Sequence, residues 1–200
     1  MATQISAKDV SALRAKTGAG MMDCKKALQE TGGDIDKAVD FLRQKGIAKA
    51  EKRSGRAARE GIIGHYVHFN GKVGVLVELN CETDFVARTD DFKELARDLA
   101  MHIASARPIA VTADQVPEEI LKRERSIFEK QVEESGKPEA VRAKIVDGKL
   151  NKLLKELVLM DQPFVKDDKK SVGQLVKEVS GKVGENLVVR RFVRQELGEE

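Results

Sequence analysis

The chain has 200 residues, enough for one or two domains of ordinary size. Its net charge of +3 is small for a protein that binds nucleic acid chiefly through phosphate contacts. Apolar residues make up 41% and charged residues 34%, which is typical of globular proteins, and no apolar run approaches the roughly 20 residues that span a bilayer.

The first 46 residues predict three short helices. Ser6 and Asp9 have the spacing of a capping box at the start of the first helix. The second helix covers about 21–30, and the third is expected to end at Gly46, since glycine suits a helix C-terminus. A module of this size is near the lower limit for an independent fold.

A basic segment follows these helices. Residues 43–59 contain seven Lys and Arg side chains and one acid, Glu51. We interpret the segment as a solvated linker, in part helical, and as the strongest boundary signal in the chain. The predicted domains are therefore 1–55, the three-helix module with its linker, and 56–200, the core.

The core begins with a predicted β-hairpin. Asn70-Gly71 lies between two apolar segments, which is the strongest short-range hairpin signal. Alternating apolar residues in 73–79 indicate one buried face, and a second alternating segment, 187–194, is expected to add a third strand. We therefore predict an α+β protein whose helix-rich core contains a small antiparallel three-stranded sheet.

Helices are predicted between these strands. One follows the hairpin and ends before Pro108, and two more form a helical hairpin at about 117–159. The apolar stripe of the first is Phe92, Leu95, Leu99 and Ile103. The stripes of the pair are expected to include Ile120, Ile127, Val132, Val141 and Ile145.

Residues that would support catalysis or metal binding are sparse. His65, His68 and His102 lack the spacing of a ligand cluster, and two cysteines are too few for a zinc cluster or a disulfide framework. No nucleophile elbow or phosphate-binding loop is present. We expect a non-enzymatic protein without a cofactor or a membrane partner. We also expect it in the cytoplasm, since the first ten residues lack an export signal.

Two adjacent methionines stand out at the start of the second helix. Met21 and Met22 cannot both face the same small core, and an exposed thioether suits an adaptable contact surface. The alternative is that both lie at the rim of the core.

The segment 82–88 is also unusual. Thr83 or Asp84 could cap a helical turn with Phe85 buried, and the residues by themselves favour this interpretation. The alternative is an exposed Asp-Phe pair, in which an apolar anchor lies beside a charge, as in interface hot spots.

Both segments resemble a known family. Residues 13–28, LRAKTGAGMMDCKKAL, and 78–88, ELNCETDFVAR, are similar to the two signatures of bacterial elongation factor Ts. Residues 161–165 and 171–175 resemble its C-terminal part, so the similarity covers nearly the whole chain.

The resemblance implies a function. The family is the guanine-nucleotide exchange factor of elongation factor Tu, and the expected partner is that GTPase in its GDP-bound and nucleotide-free states. It implies a ubiquitin-associated-like (UBA-like) module at the N-terminus, with Arg14, Met21 and Met22 at partner-binding positions. It further implies that Thr83, Asp84, Phe85 and Val86 dislodge the partner's magnesium.

The chain resembles the short form of the family. Longer members carry two copies of the β-containing core, whereas this sequence has one Asn-Gly hairpin and one C-terminal strand. Short members form homodimers, so we expect a homodimer through the sheet, and no direct contact with nucleic acid. The alternative function is RNA or ribosome binding through the basic segment 43–59.

Overall fold

The computed structural model of the chain describes residues 5–136 and 138–199, and its fold is α+β. The helices are α1 Ala7–Thr17, α2 Met21–Glu30, α3 Ile35–Glu51, α4 Asp84–Ala87, α5 Asp90–Ala106, α6 Glu118–Glu134, α7 Glu139–Leu157 and α8 Val172–Val183. The strands are β1 Glu60–Val67, β2 Val73–Cys81, β3 Pro163–Phe164, β4 Asp167–Ser171 and β5 Val188–Glu196. Short 3₁₀ turns lie at Ala113–Gln115 and Leu159–Asp161.

The three N-terminal helices are confirmed. The backbone N–H of Asp9 donates to the Ser6 hydroxyl at 3.1 Å, and the Ser6 N–H donates to the Asp9 carboxylate, so the capping box is formed. Asp34 caps α3 by accepting from the N–H of Lys37 at 3.0 Å. The core of the module consists of Val10, Leu13, Cys24, Ala27, Leu28 and Ala38.

The predicted end of the third helix is wrong. α3 continues through Gly46 to Glu51 and takes up half of the basic segment. Gly46 has a packing function instead of a capping one, because it contacts Gly181 of α8. A Cβ atom built on Gly181 would lie 2.8 Å from the backbone of Gly46. Glycine is therefore required where the backbones of the two helices approach each other.

The three-stranded sheet is confirmed, with the order β1-β2-β5 and β2 in the centre. The Asn70 side chain accepts the N–H of Lys72 at 3.0 Å, and Gly71 adopts a φ of 69°, which explains why this dipeptide makes the turn. The buried face of β2 consists of Val75, Val77, Leu79 and Cys81. The β3–β4 hairpin was not predicted.

The helical hairpin α6–α7 is present, but part of its predicted stripe is wrong. Ile127 and Val141 are exposed, and the core between the helices contains Phe128 and Val146 beside the predicted Val132. The reason is helical spacing: Phe128 and Val132 are four residues apart and share a face, whereas Ile127 is five residues before Val132. On α5 the predicted stripe is fully buried.

The described chain forms two compact units that do not follow chain order. The first contains residues 5–62, 80–95 and 174–188, and the second contains the other described residues. Both signature segments belong to the first unit, apart from the first two residues of the second segment. The division at residue 55 expected from the sequence stays a prediction.

Candidate partner-binding site

Phe85 lies on the surface of a single helical turn between β2 and α5. Its side chain is 76% exposed, whereas Ala87 of the same turn is buried and holds the turn against the protein. The hydroxyl of Thr89 donates to the carbonyl of Val86 at 2.7 Å and closes the turn. The interpretation in which Phe85 is buried is therefore wrong, and the ring is available to another molecule.

Glu185 holds the start of this turn. Its carboxylate accepts three hydrogen bonds: from the N–H groups of Glu82 and Thr83, both at 3.0 Å, and from the Thr83 hydroxyl at 2.6 Å. The Thr83 hydroxyl thus donates to Glu185, and the Thr83 side chain makes no capping hydrogen bond to the turn. Glu185 was not predicted from the sequence, where its only local signal is an acid after the glycine that ends α8.

Further hydrogen bonds fix the same segment. The Glu82 carboxylate accepts the N–H of Asn186 at 2.7 Å, and the Asn186 amide donates to the carbonyls of Arg56 and Ser54. The Cys81 thiol donates to the carbonyl of Thr83 at 3.1 Å. Burial, assisted by the nearby charge of Glu185, raises the pKa of Cys81 to about 11. The thiol therefore stays protonated at neutral pH and keeps this hydrogen bond.

Asp84 precedes Phe85 in the same turn and is also partly exposed. Its side chain is 47% exposed and accepts from the Arg88 guanidinium at 2.8 Å, one helical turn further on. Because the pair lies at the surface, it is a weak interaction that a partner can replace. Asp84 and Phe85 thus present a carboxylate and an apolar group side by side.

Arg14, Met21 and Met22 are all exposed on the N-terminal helices. Met21 is 48% exposed, Met22 is 76% exposed, and Arg14 is also exposed. The interpretation that places both methionines at the rim of the core is therefore wrong. Gly18 separates α1 from α2 with a φ of 68°, and its N–H donates to the Arg14 carbonyl at 2.8 Å. This tight turn brings the end of α1 beside the start of α2.

Asp23 fixes the start of α2 against α3. Its carboxylate accepts from Lys45 at 2.8 Å and from Lys49 at 2.9 Å. These two hydrogen bonds lower the pKa of Asp23 to about 2. The methionine-bearing turn of α2 is therefore held in place while its side chains stay free.

Lys182 of α8 contacts both the turn between α1 and α2 and the first turn of α5. Its aliphatic chain covers the Gly18 turn, where an added Cβ would lie 2.7 Å from Cε. Its ammonium group donates to Asp91, in the first turn of α5, at 2.6 Å. α8 thus contacts the turn between the N-terminal helices and the helix that follows the Phe85 turn.

The described residues do not include a group of three or more His, Cys, Asp or Glu side chains placed to hold a metal ion. Among the helices of the same residues, none is both long enough and apolar enough to cross a membrane.

Comparison with known proteins gives the family. The family model described as elongation factor TS matches residues 2–199. The chain belongs to the elongation factor Ts family. Elongation factor Ts of Solidesulfovibrio magneticus is 57% identical over 98% of both chains. That of Coprothermobacter proteolyticus is 56% identical over 98% of this chain and 100% of its own.

Elongation factor Ts of a Synechococcus strain is 58% identical over 100% of this chain and 91% of its own. These matches confirm the resemblance expected from the two signature segments. Membership in the elongation factor Ts family makes the chain a factor of protein synthesis and supports a role in nucleotide exchange on elongation factor Tu.

Proposed function

We propose that the protein binds elongation factor Tu carrying GDP and promotes the exchange of GDP for GTP by dislodging magnesium and the nucleotide. The observation that carries the proposal is the exposed Phe85 ring on a turn anchored by Glu185, in a chain of the elongation factor Ts family. The protein acts as a binding partner in the cytoplasm and performs no covalent chemistry.

The Thr83–Val86 turn acts on the magnesium site. In a GTPase, magnesium neutralises phosphate charge and bridges the phosphates to the protein. Phe85 enters an apolar slot of the partner and displaces one of its helices, so that the magnesium ligands lose their register. Asp84 adds a negative charge beside the ring, which opposes a phosphate in the same space. Thr83 and Val86 flank Asp84 and Phe85 and fix the position of the turn that carries them.

Arg14, Met21 and Met22 supply the docking contact. The thioethers adapt to an apolar surface, and the Arg14 guanidinium fits a carboxylate on the nucleotide-binding domain of elongation factor Tu. Binding of the factor and binding of the nucleotide oppose each other through one coupling free energy. The factor therefore weakens the binding of GDP by the same ratio by which GDP weakens the binding of the factor. Excess GTP sets the direction of exchange.

The homodimer is part of this proposal. Ile63, Leu76 and Val193, one on each strand of the sheet, are all more than half exposed. Exposed apolar side chains on the outer face of a sheet are stabilised when another surface buries them. The same face of a second copy of the chain provides such a surface.

RNA binding through the basic segment is the competing function. Four of its seven cations form ion pairs with acids of the same chain: Arg43 with Glu178, Lys45 and Lys49 with Asp23, and Arg56 with Glu82. These pairs weaken the case for a phosphate-binding strip. If RNA were the ligand, its affinity would fall with salt at a log-log slope set by the number of phosphates contacted.

Release of a fluorescent GDP from elongation factor Tu tests partner and activity together. Addition of the wild-type chain should accelerate release in a concentration-dependent manner, and magnesium in excess should oppose it. An unchanged rate at micromolar concentrations of the chain would contradict the proposed function.

A further inference from the structure

A cavity of about 520 Å³ lies in the first unit between the N-terminal helices and α8. Its apolar lining contains Val39, Leu42 and Val179, together with the glycines Gly20, Gly46 and Gly181. Small-molecule sites in proteins commonly have volumes of about 300–1,000 Å³. The cavity therefore has the size of a ligand site.

Cationic side chains surround the cavity. They are Lys16, Arg43, Lys45, Lys49, Arg53 and Lys182, and the acids that line it are Asp23 and Glu178. Three of the cations have one acid each: Lys16 pairs with Asp36, Arg43 with Glu178, and Lys182 with Asp91.

Two of the remaining three cations share one acid. Lys45 and Lys49 both bind Asp23, which neutralises only one of them. Arg53 has no ion pair among the described residues, and its Nη1 atom is buried without a hydrogen-bond partner there. The cavity thus carries two positive charges in excess. A buried charged donor without a partner is unfavourable, and a bound anion would supply the missing acceptor.

The N-terminus of α2 adds a further attraction for anions. Gly20 is its N-cap and offers no side-chain acceptor to the first amides of the helix, and Gly20 lines the cavity. Free amides and the helix dipole at such an end favour negative charge. Unlike an isolated helix end, this one faces the same space as the unpaired Arg53.

We propose that this cavity binds a phosphate monoester of nucleotide size. A phosphate monoester carries about −1.5 to −2 charges at neutral pH, which matches the excess of two. The phosphate lies near Arg53 and the start of α2, and a planar base packs against the wall formed by Val39, Leu42 and Val179. The residues that line the cavity include none of Thr83–Val86 and none of Arg14, Met21 and Met22.

Titration of the full chain with AMP tests this site, with ribose 5-phosphate and adenosine as comparison probes. AMP should bind at one site per chain, ribose 5-phosphate more weakly, and adenosine not measurably. The amide signals of Gly20, Gly46 and Gly181 in ¹H–¹⁵N spectra should shift with AMP. Shifts confined to other residues, or equal binding of adenosine, would overturn the proposal.

Arg53→Gln supplies the matched variant, and Arg59→Gln is its control, because Arg59 is an exposed cation of the same segment outside the cavity. Loss of one charged hydrogen-bonding group should weaken the affinity for AMP by about tenfold in Arg53→Gln. The affinity of Arg59→Gln should equal that of the wild type. Equal affinity in the two variants would contradict the assignment. Binding of an RNA oligonucleotide without binding of AMP would also contradict it.

Discussion

Among single residues, Glu185 positions the turn that carries Phe85. Replacing it with Ala removes the acceptor of three hydrogen bonds, and hydrogen bonds to a charged group contribute roughly 1.5–3 kcal/mol each. We expect Glu185→Ala to slow nucleotide exchange by at least about tenfold, with Glu185→Gln retaining part of the rate. GDP release at saturating factor measures the effect.

Glu129→Ala is the control for this prediction, since Glu129 is an exposed acid on α6. It should exchange nucleotide at the wild-type rate. If Glu185→Ala matched it, the anchoring function of the Glu185 carboxylate would be wrong.

The titration of Asp23 predicts how stability depends on pH. Its folded pKa of about 2 lies below the ordinary value of 3.8. A lowered pKa means that the stabilisation is complete above the unfolded value and is lost as pH falls through about 2. Asp23→Asn should therefore lower the free energy of unfolding at pH 7 and have little effect near pH 2. Urea unfolding at both pH values measures this, and an equal loss at both would contradict it.

Sequence patterns located the exposed residues of the site but not what holds them. The motifs identified Met21, Met22 and Phe85, yet spacing by itself favoured a buried Phe85. Glu185 could not be found in this way, because it lies about 100 positions from Thr83 and only folding brings the two together. Hydrogen bonds between distant segments leave no periodic signal.

Among elements, the contact of α3 with α8 leaves no room for added volume. Gly181→Ala places a methyl group 2.8 Å from the backbone of Gly46, and overpacking of this kind typically costs 1–3 kcal/mol. Gly148→Ala is the matched control, since it lies inside α7 with open space around it. It should stabilise by roughly 0.5–1 kcal/mol because alanine favours helix.

Thermal unfolding of the two variants checks the prediction. The melting temperature should fall for Gly181→Ala and rise for Gly148→Ala. A Gly181→Ala variant as stable as wild type would show that the helices can separate without loss.

Local signals predicted most elements correctly. The errors arose where tertiary packing determined the end of a helix or its buried face. The Asn70-Gly71 turn and the alternating strands were visible because backbone sterics and two-residue periodicity act locally. Gly46 was misread as a helix end because its neighbour Gly181 is 135 positions away. The stripe of α6 was assigned to Ile127 because the sequence does not show which face meets α7.

For the whole molecule, the exposed face of the sheet predicts self-association. Leu76→Glu places a charge in the middle of that face, where burying it without a partner is unfavourable. The wild-type chain should sediment as a dimer at micromolar concentration and Leu76→Glu as a monomer. Val165→Glu, on an exposed apolar residue outside the sheet, should remain dimeric. Wild-type chain that sediments only at 22.1 kDa would contradict the homodimer.

The proposed mechanism is that the Phe85 ring opens the nucleotide site of elongation factor Tu. Its most direct test is the rate of fluorescent GDP release with Phe85→Ala beside Phe69→Ala, since Phe69 is 92% exposed and lies at the β1–β2 hairpin. A buried aromatic anchor typically contributes 2 kcal/mol or more, so Phe85→Ala should slow release by at least about tenfold, and Phe69→Ala should not change it. Release at the wild-type rate with Phe85→Ala would contradict the account.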